Sequence, residues 1–272
     1  MADDLDKKAD MPLWGHLEAL RAVIIKALAV TLALVVVYFA AMPTIFDKVI
    51  LAPCRGDFWL YRAFEAVTRA IPFVDTFNSE GFEVRLINIQ LASQFFIHIS
   101  TSFYLALLTA FPVILYLAWT FVRPALYPGE VRGARAAFSL GSVMFFAGVA
   151  VGYFVVFPVT MRFLAEYQLS AMVPNQISLS SYMDTFLAML LVMGAVFELP
   201  LVAWALGAVG LLSRGFMRRY RRHAIVLLLI AAALITPTGD PFTLAIVFLP
   251  LYLLYELSIL FVKPAHKQRP QE

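Results

Sequence analysis

Six long apolar stretches constrain this chain more than any other feature of its sequence. They cover approximately residues 23–46, 95–122, 136–163, 182–206, 224–236 and 242–262. A helix needs about 20 mostly apolar residues to cross the hydrocarbon layer, because each residue advances it by about 1.5 Å. Hydrophobic residues make up 62% of the chain and charged residues 14%, a balance far more apolar than that of soluble domains. The sequence therefore predicts an all-α integral membrane protein with six transmembrane helices.

The fifth apolar stretch is short. Its sequence "AIVLLLIAAALIT" has 13 residues, which gives about 20 Å of helix. The tight-turn sequence "PTGDP" follows it, and the sixth stretch begins at once. We therefore expect helices 5 and 6 to form a short hairpin that thins the bilayer locally. A buried core helix is the alternative for the fifth stretch.

Prolines interrupt four of the predicted helices, and each one removes a backbone hydrogen bond and bends its helix. They are Pro112, Pro158, Pro200 and Pro250. Such bends favour a concave, cupped bundle over a compact cylinder. The alternative is that proline is simply more frequent in membrane helices than in soluble ones. The stretch "GVAVG", with Gly148 and Gly152, has the small-residue spacing of close helix contacts.

The distribution of Lys and Arg predicts the orientation. With six spans, most basic residues lie on one side of the membrane, in the two terminal segments and in the loops after the second and fourth spans. The opposite loops around 164–181 and 237–241 have none, whereas the long first loop, residues 47–94, has five. Because basic loops stay in the cytoplasm and long loops count less in this rule, we expect both termini to be cytoplasmic. The acidic N-terminus does not resemble a secretory signal, so residues 1–272 are expected to form a single polytopic domain.

The first periplasmic loop, residues 47–94, is long enough to have structure of its own. Its sequence "DFWLYRAFEAVTRAIPF" has apolar residues near helical spacing, which predicts an amphipathic helix at the outer interface. A substrate-binding cap is the alternative. The following "FEVRLINIQLASQFF" alternates in part and predicts a short extended segment. The chain has one cysteine, Cys54, and no phosphate loop, metal cluster or nucleophile elbow, so we expect no enzyme activity, metal or cofactor.

Glu198 is the deepest ionisable residue of the predicted spans. It lies in "GAVFELPLVAW", two residues before Pro200. A charged carboxylate near the bilayer centre costs about 2.5–3.5 kcal/mol on insertion scales. We therefore expect Glu198 to have a function, either as a polar anchor for another helix or as a proton-coupling group. A hydrogen bond between two helices of the same bundle is the alternative.

Two cytoplasmic stretches each place a carboxylate among apolar residues. "PLWGHLEALR" before the first helix contains Glu18, and "FVRPALYPGEVRGAR" after the second contains Glu130. A carboxylate at such a place can accept two parallel hydrogen bonds from an arginine. Ordinary ion pairs with Arg21 and Arg132 are equally compatible with these residue types.

These stretches resemble the TatC family, the multispanning subunit of the twin-arginine protein translocase. The matching motifs extend over essentially the whole chain. They are "HLEALR", "LAPC", "FPVILYLAWTFVRPALYPGEVR", "GYFVVFP", "FELP" and "LITPTGDPF", in this order between six spans. The "RPALYxxE" stretch is the most specific of them.

The resemblance implies a receptor that binds twin-arginine signal peptides of folded cargo on its cytoplasmic face. It also implies single-span TatA-like and TatB-like partners in a multimeric complex in membrane lipid, driven by the proton-motive force and without nucleic acid. By position, the resemblance assigns signal-peptide binding to Glu18, Arg21, Phe121, Pro124, Glu130 and Arg132. It assigns an intramembrane partner site to Glu198 and Pro200, and it matches Pro53 and Asp240.

One motif departs from the family pattern. The family usually has an acidic residue directly before the Leu-Arg pair, whereas this chain has Ala19 there and Glu18 one residue earlier. One residue turns a helix by about 100°, so we expect Glu130 to contribute more than Glu18. A secondary transporter with Glu198 as its proton-coupling carboxylate is the alternative function. The chain shows neither the internal repeat nor the paired broken helices typical of such transporters.

Overall fold

The computed structural model describes residues 13–69, 81–125, 131–170, 172–173, 175–208, 210–236 and 239–262. The first half contains α1 (Leu13–Ile45), α2 (Trp59–Arg69), β1 (Leu86–Ile87), α3 (Ser93–Val122) and α4 (Val131–Val151). The second half contains α5 (Phe157–Glu166), β2 (Ile177–Ser178), α6 (Leu179–Val196), α7 (Leu199–Ala208), α8 (Arg214–Arg219), α9 (Arg221–Ile235) and α10 (Pro241–Phe261).

Within the described residues, five helical stretches are long and apolar enough to cross a membrane. They are Leu17–Cys54, Ser93–Val122, Arg135–Glu166, Leu179–Ala208 and Pro241–Phe261. Helix α9, in the fifth predicted span, has 15 residues and is not among them, because it is only about 22 Å long. The architecture is that of an all-α membrane protein, and the exact number of spans stays a prediction.

The helices pack in an order different from their order in the chain. Helix α3 packs against α1, α4 and α6, while α4 also packs against α6 and α7. Helix α10 packs against α7 and α9. The share of buried residues is 44% in the most apolar part of the α6–α7 stretch and 6% in that of α1. The α6–α7 stretch is therefore central to the bundle, and α1 is peripheral.

Two prolines lie at interruptions of the spans, and three lie inside continuous helices. Pro112 and Pro250 lie inside α3 and α10, and Pro43 lies inside α1. Pro158 is the second residue of α5 and follows a π-helical stretch, Gly152–Val156. Pro200 is the second residue of α7 and follows a break after α6. These are recognised causes of bending; the concave shape that they favour stays a prediction.

One end of the bundle, which we call the cap end, is closed by hydrogen bonds between distant segments. The Tyr153 hydroxyl donates to the carbonyl of Val49 (2.8 Å), and the Tyr182 hydroxyl donates to that of Ile50. The Tyr61 hydroxyl of α2 shares its proton between the carbonyls of Pro53 (2.9 Å) and Pro158 (3.2 Å). These contacts place the end of α1, helix α2, the end of α4 and the start of α6 together.

The cap end confirms two predictions about the first loop. The amphipathic stretch is helical as α2, and the alternating stretch contains β1, which pairs in parallel with β2. Because α1 ends and α3 and α6 begin at the cap end, the start of α1, the end of α3 and the start of α4 lie at the opposite end. We call the latter the basic end, since the arginines of α8 also lie there, beyond the end of α7.

Candidate functional site

A break in the fourth span presents Glu198. Helix α6 ends at Val196 and α7 begins at Leu199. Pro200 has no N–H, so the carbonyl of Val196 cannot receive the regular helical bond from residue 200. The Glu198 N–H donates instead to Ala195, three residues back (3.1 Å), and the helix resumes where Val202 donates to the Glu198 carbonyl (2.9 Å).

The carboxylate of Glu198 lies among apolar groups at the contact of α4 with α7. Both carboxylate oxygens are buried and have no hydrogen-bond partner among the described residues. A methyl group built on Gly141 of α4 would lie 2.9 Å from Oε2 of Glu198, 2.7 Å from Leu201 Cδ2 and 3.4 Å from Leu115 Cδ1. Gly141 therefore provides the space in which the carboxylate lies, and a buried carboxylate without a partner is unfavourable.

An apolar cavity of about 210 Å³ has two of the residues near this carboxylate, Gly141 and Leu201, in its wall. It lies between α4 and α7, with Gly141, Pro200, Leu201 and Trp204 in its wall and Phe261 at the end of α10. Sequence analysis found Glu198 and Pro200 from their depth and motif. It did not find Gly141, because nothing in the chain around Gly141 shows which residue it faces.

Five of the six residues predicted to bind a signal peptide are described, and they lie on three segments at the basic end. Glu18 and Arg21 are exposed in the first turns of α1. They form no salt bridge with each other or with another described residue. Phe121 is half-buried near the end of α3, and Pro124 is exposed in the 3₁₀ turn Arg123–Ala125. Arg132 belongs to the first turn of α4, and Glu130 lies outside the described residues.

Pro53 and Asp240 stabilise the ends of helices. Pro53 is buried in the turn Ala52–Cys54, and its carbonyl accepts the Tyr61 hydroxyl. The Asp240 carboxylate accepts the N–H of Thr243 (2.7 Å) and caps the N-terminus of α10, whose first residue is Pro241. A capping aspartate followed by proline is a common helix start, which explains the local sequence "GDPF".

Sequence analysis missed Arg162, a buried cation at the cap end. Its Nε donates to Oε1 of Glu166 (2.9 Å), one turn further along α5. Its guanidinium also lies over the rings of Tyr61 (5.3 Å to the centroid) and Phe82 (4.8 Å). Burial raises the pKa of the Tyr61 hydroxyl well above its ordinary value, so Tyr61 is a neutral hydrogen-bond donor here. The i,i+4 spacing of Arg162 and Glu166 was the available signal.

Glu256 and His98, the other ionisable groups in the apolar helices with defined contacts, have partners within the bundle. The Glu256 carboxylate accepts from the Arg221 guanidinium (2.6 Å) and from the Tyr252 hydroxyl (3.2 Å). His98 Nε2 lies 2.9 Å from the Phe39 carbonyl, and its ring stacks on that of Phe39. They therefore connect helices, and Glu198 differs from them in having no such partner.

Comparison with known proteins identifies the family. The profile described as "Sec-independent protein translocase protein (TatC)" matches residues 15–250. The protein of that name from Blattabacterium sp. subsp. Periplaneta americana (strain BPLAN) is 32% identical over 257 residues, which cover 93% of this chain and 96% of the relative. The one from Deinococcus radiodurans is 35% identical over 194 residues, covering 69% of this chain and 72% of the relative.

A solved structure has the same fold. A crystal structure described as the twin-arginine translocase receptor TatC has a TM-score of 0.69 and 27% sequence identity, over 90% of this chain and 97% of the solved chain. A second crystal structure of that receptor, in DDM, has a TM-score of 0.71 and also 27% identity, over 91% and 99% of the two chains. The chain is a multi-pass membrane protein that belongs to the TatC family of Sec-independent protein translocase subunits.

Proposed function

We propose that this chain is the receptor subunit of a twin-arginine translocase and binds the paired arginines of signal peptides at its basic end. One observation carries the proposal. The start of α1, the end of α3 and the start of α4 all lie at that end. Glu18 and Phe121 therefore lie at the same end of the bundle, and Glu130 directly precedes the first residue of α4 in the sequence. The solved relative described as a twin-arginine translocase receptor supports it.

Each predicted residue has a role that its chemistry suits. The carboxylates of Glu18 and Glu130 accept hydrogen bonds from the guanidinium groups of the peptide. Glu18 is exposed and forms no salt bridge with a described residue, so it is available to a ligand. Phe121 and Pro124 shape the exit of α3, and Arg21 and Arg132 complete the proposed site.

A binding experiment with matched peptides tests this proposal. The purified chain is titrated with a fluorescent signal peptide and with its twin-lysine counterpart. We expect the twin-arginine peptide to bind more tightly, and Glu130→Gln to weaken it by roughly 10- to 100-fold, because hydrogen bonds between charged groups contribute about 1.5–3 kcal/mol. Glu166→Gln, at the cap end, is the control and should leave the affinity unchanged. Equal affinity for both peptides would refute the receptor role.

We also propose that the basic end faces the cytoplasm of a bacterium, with residues 1–272 as one domain of its inner membrane and both termini inside. The charge of that end supports this orientation, because basic segments stay on the cytoplasmic side. Single cysteines at Gln176, near the cap end, and at Gly215, in α8, test it with a membrane-impermeant thiol reagent. We expect Gln176→Cys to react from outside and Gly215→Cys only after the membrane is opened. The buried Cys54 gives the background.

The partners in this proposal are single-span TatA-like and TatB-like subunits in a multimeric complex, with the proton-motive force driving export of folded cargo. The chain itself contributes no enzymatic step. Glu198 accepts a hydrogen bond from a polar side chain of a partner helix, because its carboxylate has no partner among the described residues. Pro200 supports this role by producing the break that presents it.

Co-purification tests the partner site. We expect Glu198→Leu to lower the amount of single-span subunits that co-purify and Glu198→Gln to retain part of it, since an amide oxygen still accepts a hydrogen bond. Asp184→Asn, which changes an exposed carboxylate of α6, is the control. Unchanged co-purification with Glu198→Leu would refute the anchor. Export that persists after the proton-motive force is dissipated would refute the energy source.

A further inference from the structure

A second pocket lies between α3 and α4 at the basic end, away from the Glu198 site. It has a volume of about 320 Å³. Arg123 and Arg135 lie in its wall at the end nearest the membrane surface, and both side chains are exposed. Neither guanidinium has an ion pair or hydrogen bond with another described residue, and no described residue of the wall is acidic. The pocket therefore attracts an anion.

The lining of this pocket changes with depth. Thr120 lies one turn of α3 below Arg123, and Tyr116 lies about 10 Å below it at 1.5 Å per residue. On α4, Ser139 and Ser142 lie about 6 and 10 Å below Arg135. Pro112 is the deepest lining residue of α3. The cationic groups thus lie nearest the surface, hydroxyl groups and aromatic rings lie together below them, and Pro112 lies deepest.

Two aromatic residues form the inner wall of the pocket. Trp119 is buried, and its ring lies 5.4 Å from that of Phe138 across the contact of α3 with α4. Tyr116, by contrast, is 64% exposed, although it lies within a membrane helix. The large exposed side chain of Tyr116, beside this aromatic wall, is suited to contact with an acyl chain and with the ester region above it.

We propose that this pocket binds one anionic phospholipid of the leaflet at the basic end, with Arg123 and Arg135 as ligands of its phosphate. A phospholipid has the same order of chemistry with depth: an anionic phosphate, then polar glycerol esters, then acyl chains. Basic pockets between membrane helices are a known type of headgroup site. The pocket adjoins the proposed receptor site, since Arg123 precedes Pro124 and Val131 follows Glu130 in the chain. Its cationic ligands differ from the carboxylates proposed to bind the twin arginines, and the lipid proposal does not depend on that site.

Native mass spectrometry of the full chain in neutral detergent tests the proposal. The protein is titrated with phosphatidylglycerol and, separately, with phosphatidylcholine of the same acyl chains. We expect one tightly retained phosphatidylglycerol. The double substitution Arg123→Gln/Arg135→Gln should weaken its retention by about thirtyfold, since each basic residue near the headgroups contributes about fivefold. Arg123→Lys/Arg135→Lys, which keeps both charges, should retain most of the binding.

The control is Arg218→Gln/Arg219→Gln, which removes two exposed arginines from α8 at the same end. This control should leave lipid retention unchanged. If it loses as much lipid as the pocket variant, retention depends on the overall charge of the protein and not on a site, and the proposal is refuted. Ser139→Trp fills the pocket without a change of charge and should also abolish lipid retention. This second variant tests the proposal even if the arginine variant does not fold. Two results would assign the pocket to another ligand and overturn the proposal. The first is that glycerol phosphate displaces the bound lipid as effectively as added lipid does, and the second is that a twin-arginine peptide displaces it.

Discussion

The substitution Gly148→Ala tests how closely α4 approaches α6. A methyl group built on Gly148 would lie 2.4 Å from the carbonyl oxygen of Met193 and 2.8 Å from Cβ and Cγ of Phe197. Ordinary contact requires about 3.5–4 Å, so the two helices must separate by roughly 1 Å. The first of these atoms belongs to the backbone and cannot rotate away. It also accepts the N–H of Phe197 (3.1 Å), which is the last bond before the break at Glu198.

The expected cost follows from two opposing effects. Overpacking of a close-packed interior costs typically 1–3 kcal/mol, whereas alanine is favoured over glycine inside a helix by about 1 kcal/mol. Gly133→Ala, in the same helix, isolates the second effect, because its methyl group would meet only Trp204 Cζ2, at an ordinary 3.8 Å. The difference between the two variants is then the overpacking cost alone, about 1–3 kcal/mol.

Thermal unfolding of the purified protein in one detergent measures this difference. We expect Gly148→Ala to unfold roughly 2–6 °C below Gly133→Ala, given about 2 °C per kcal/mol for a chain of this size. Gly133→Ala should unfold at or slightly above the wild-type temperature. If both variants unfold at the same temperature, the close approach of α4 to Met193 is not what determines stability, and this reasoning fails.

Three further predictions concern the ends of the bundle. Tyr61→Phe should destabilise the fold by about 1–3 kcal/mol, because the buried carbonyl of Pro53 loses its donor. Burial raises the pKa of Tyr61, so the stability of the wild-type protein should fall as the pH rises above about 10, where an unfolded tyrosine ionises. Tyr61→Phe should make this fall smaller. Equal dependence of stability on pH in the two proteins would contradict the assignment to Tyr61. Asp240→Ala should lower the free energy of unfolding by about 1 kcal/mol and Asp240→Asn by much less, since asparagine also caps helices. Thermal unfolding measures both losses, and equal losses would exclude capping. A double-mutant cycle with Arg221→Gln and Glu256→Gln should give a coupling of at most about 1 kcal/mol, since the pair is partly exposed, and a coupling of zero would show that the pair is not formed.

The parts of the fold that follow from local patterns could be predicted from the sequence. Apolar runs gave the long helices, helical spacing gave α2, and the alternating stretch contains β1. Motif and depth together singled out Glu198, and the turn sequence "PTGDP" marked the connection before α10. Each of these signals lies within one short segment, where the period of the side chains or a capping residue decides the local structure.

Contacts between segments far apart in the chain could not be predicted in this way. Arg162 lies over rings from α2 and from the segment before β1, and no local pattern shows which aromatic residues a buried cation meets. The parallel pairing of β1 with β2 joins two segments that are separated by two membrane-length helices. The space beside Glu198 likewise depends on a glycine of another helix.

The break at Pro200 and the space at Gly141 are the structural basis for the proposal that Glu198 binds a partner from outside the chain. Because proline has no N–H, the Val196 carbonyl lacks its regular helical donor. The break therefore contains both the Glu198 carboxylate and a backbone carbonyl without its helical hydrogen bond. Leu115 and Leu201 enclose the carboxylate with aliphatic groups, and Arg221 already pairs with Glu256. An apolar cavity beside Pro200 and Leu201 leaves room for an approaching side chain. A donor on another membrane helix is therefore expected to enter there, since in lipid a polar group gains most from a buried polar partner.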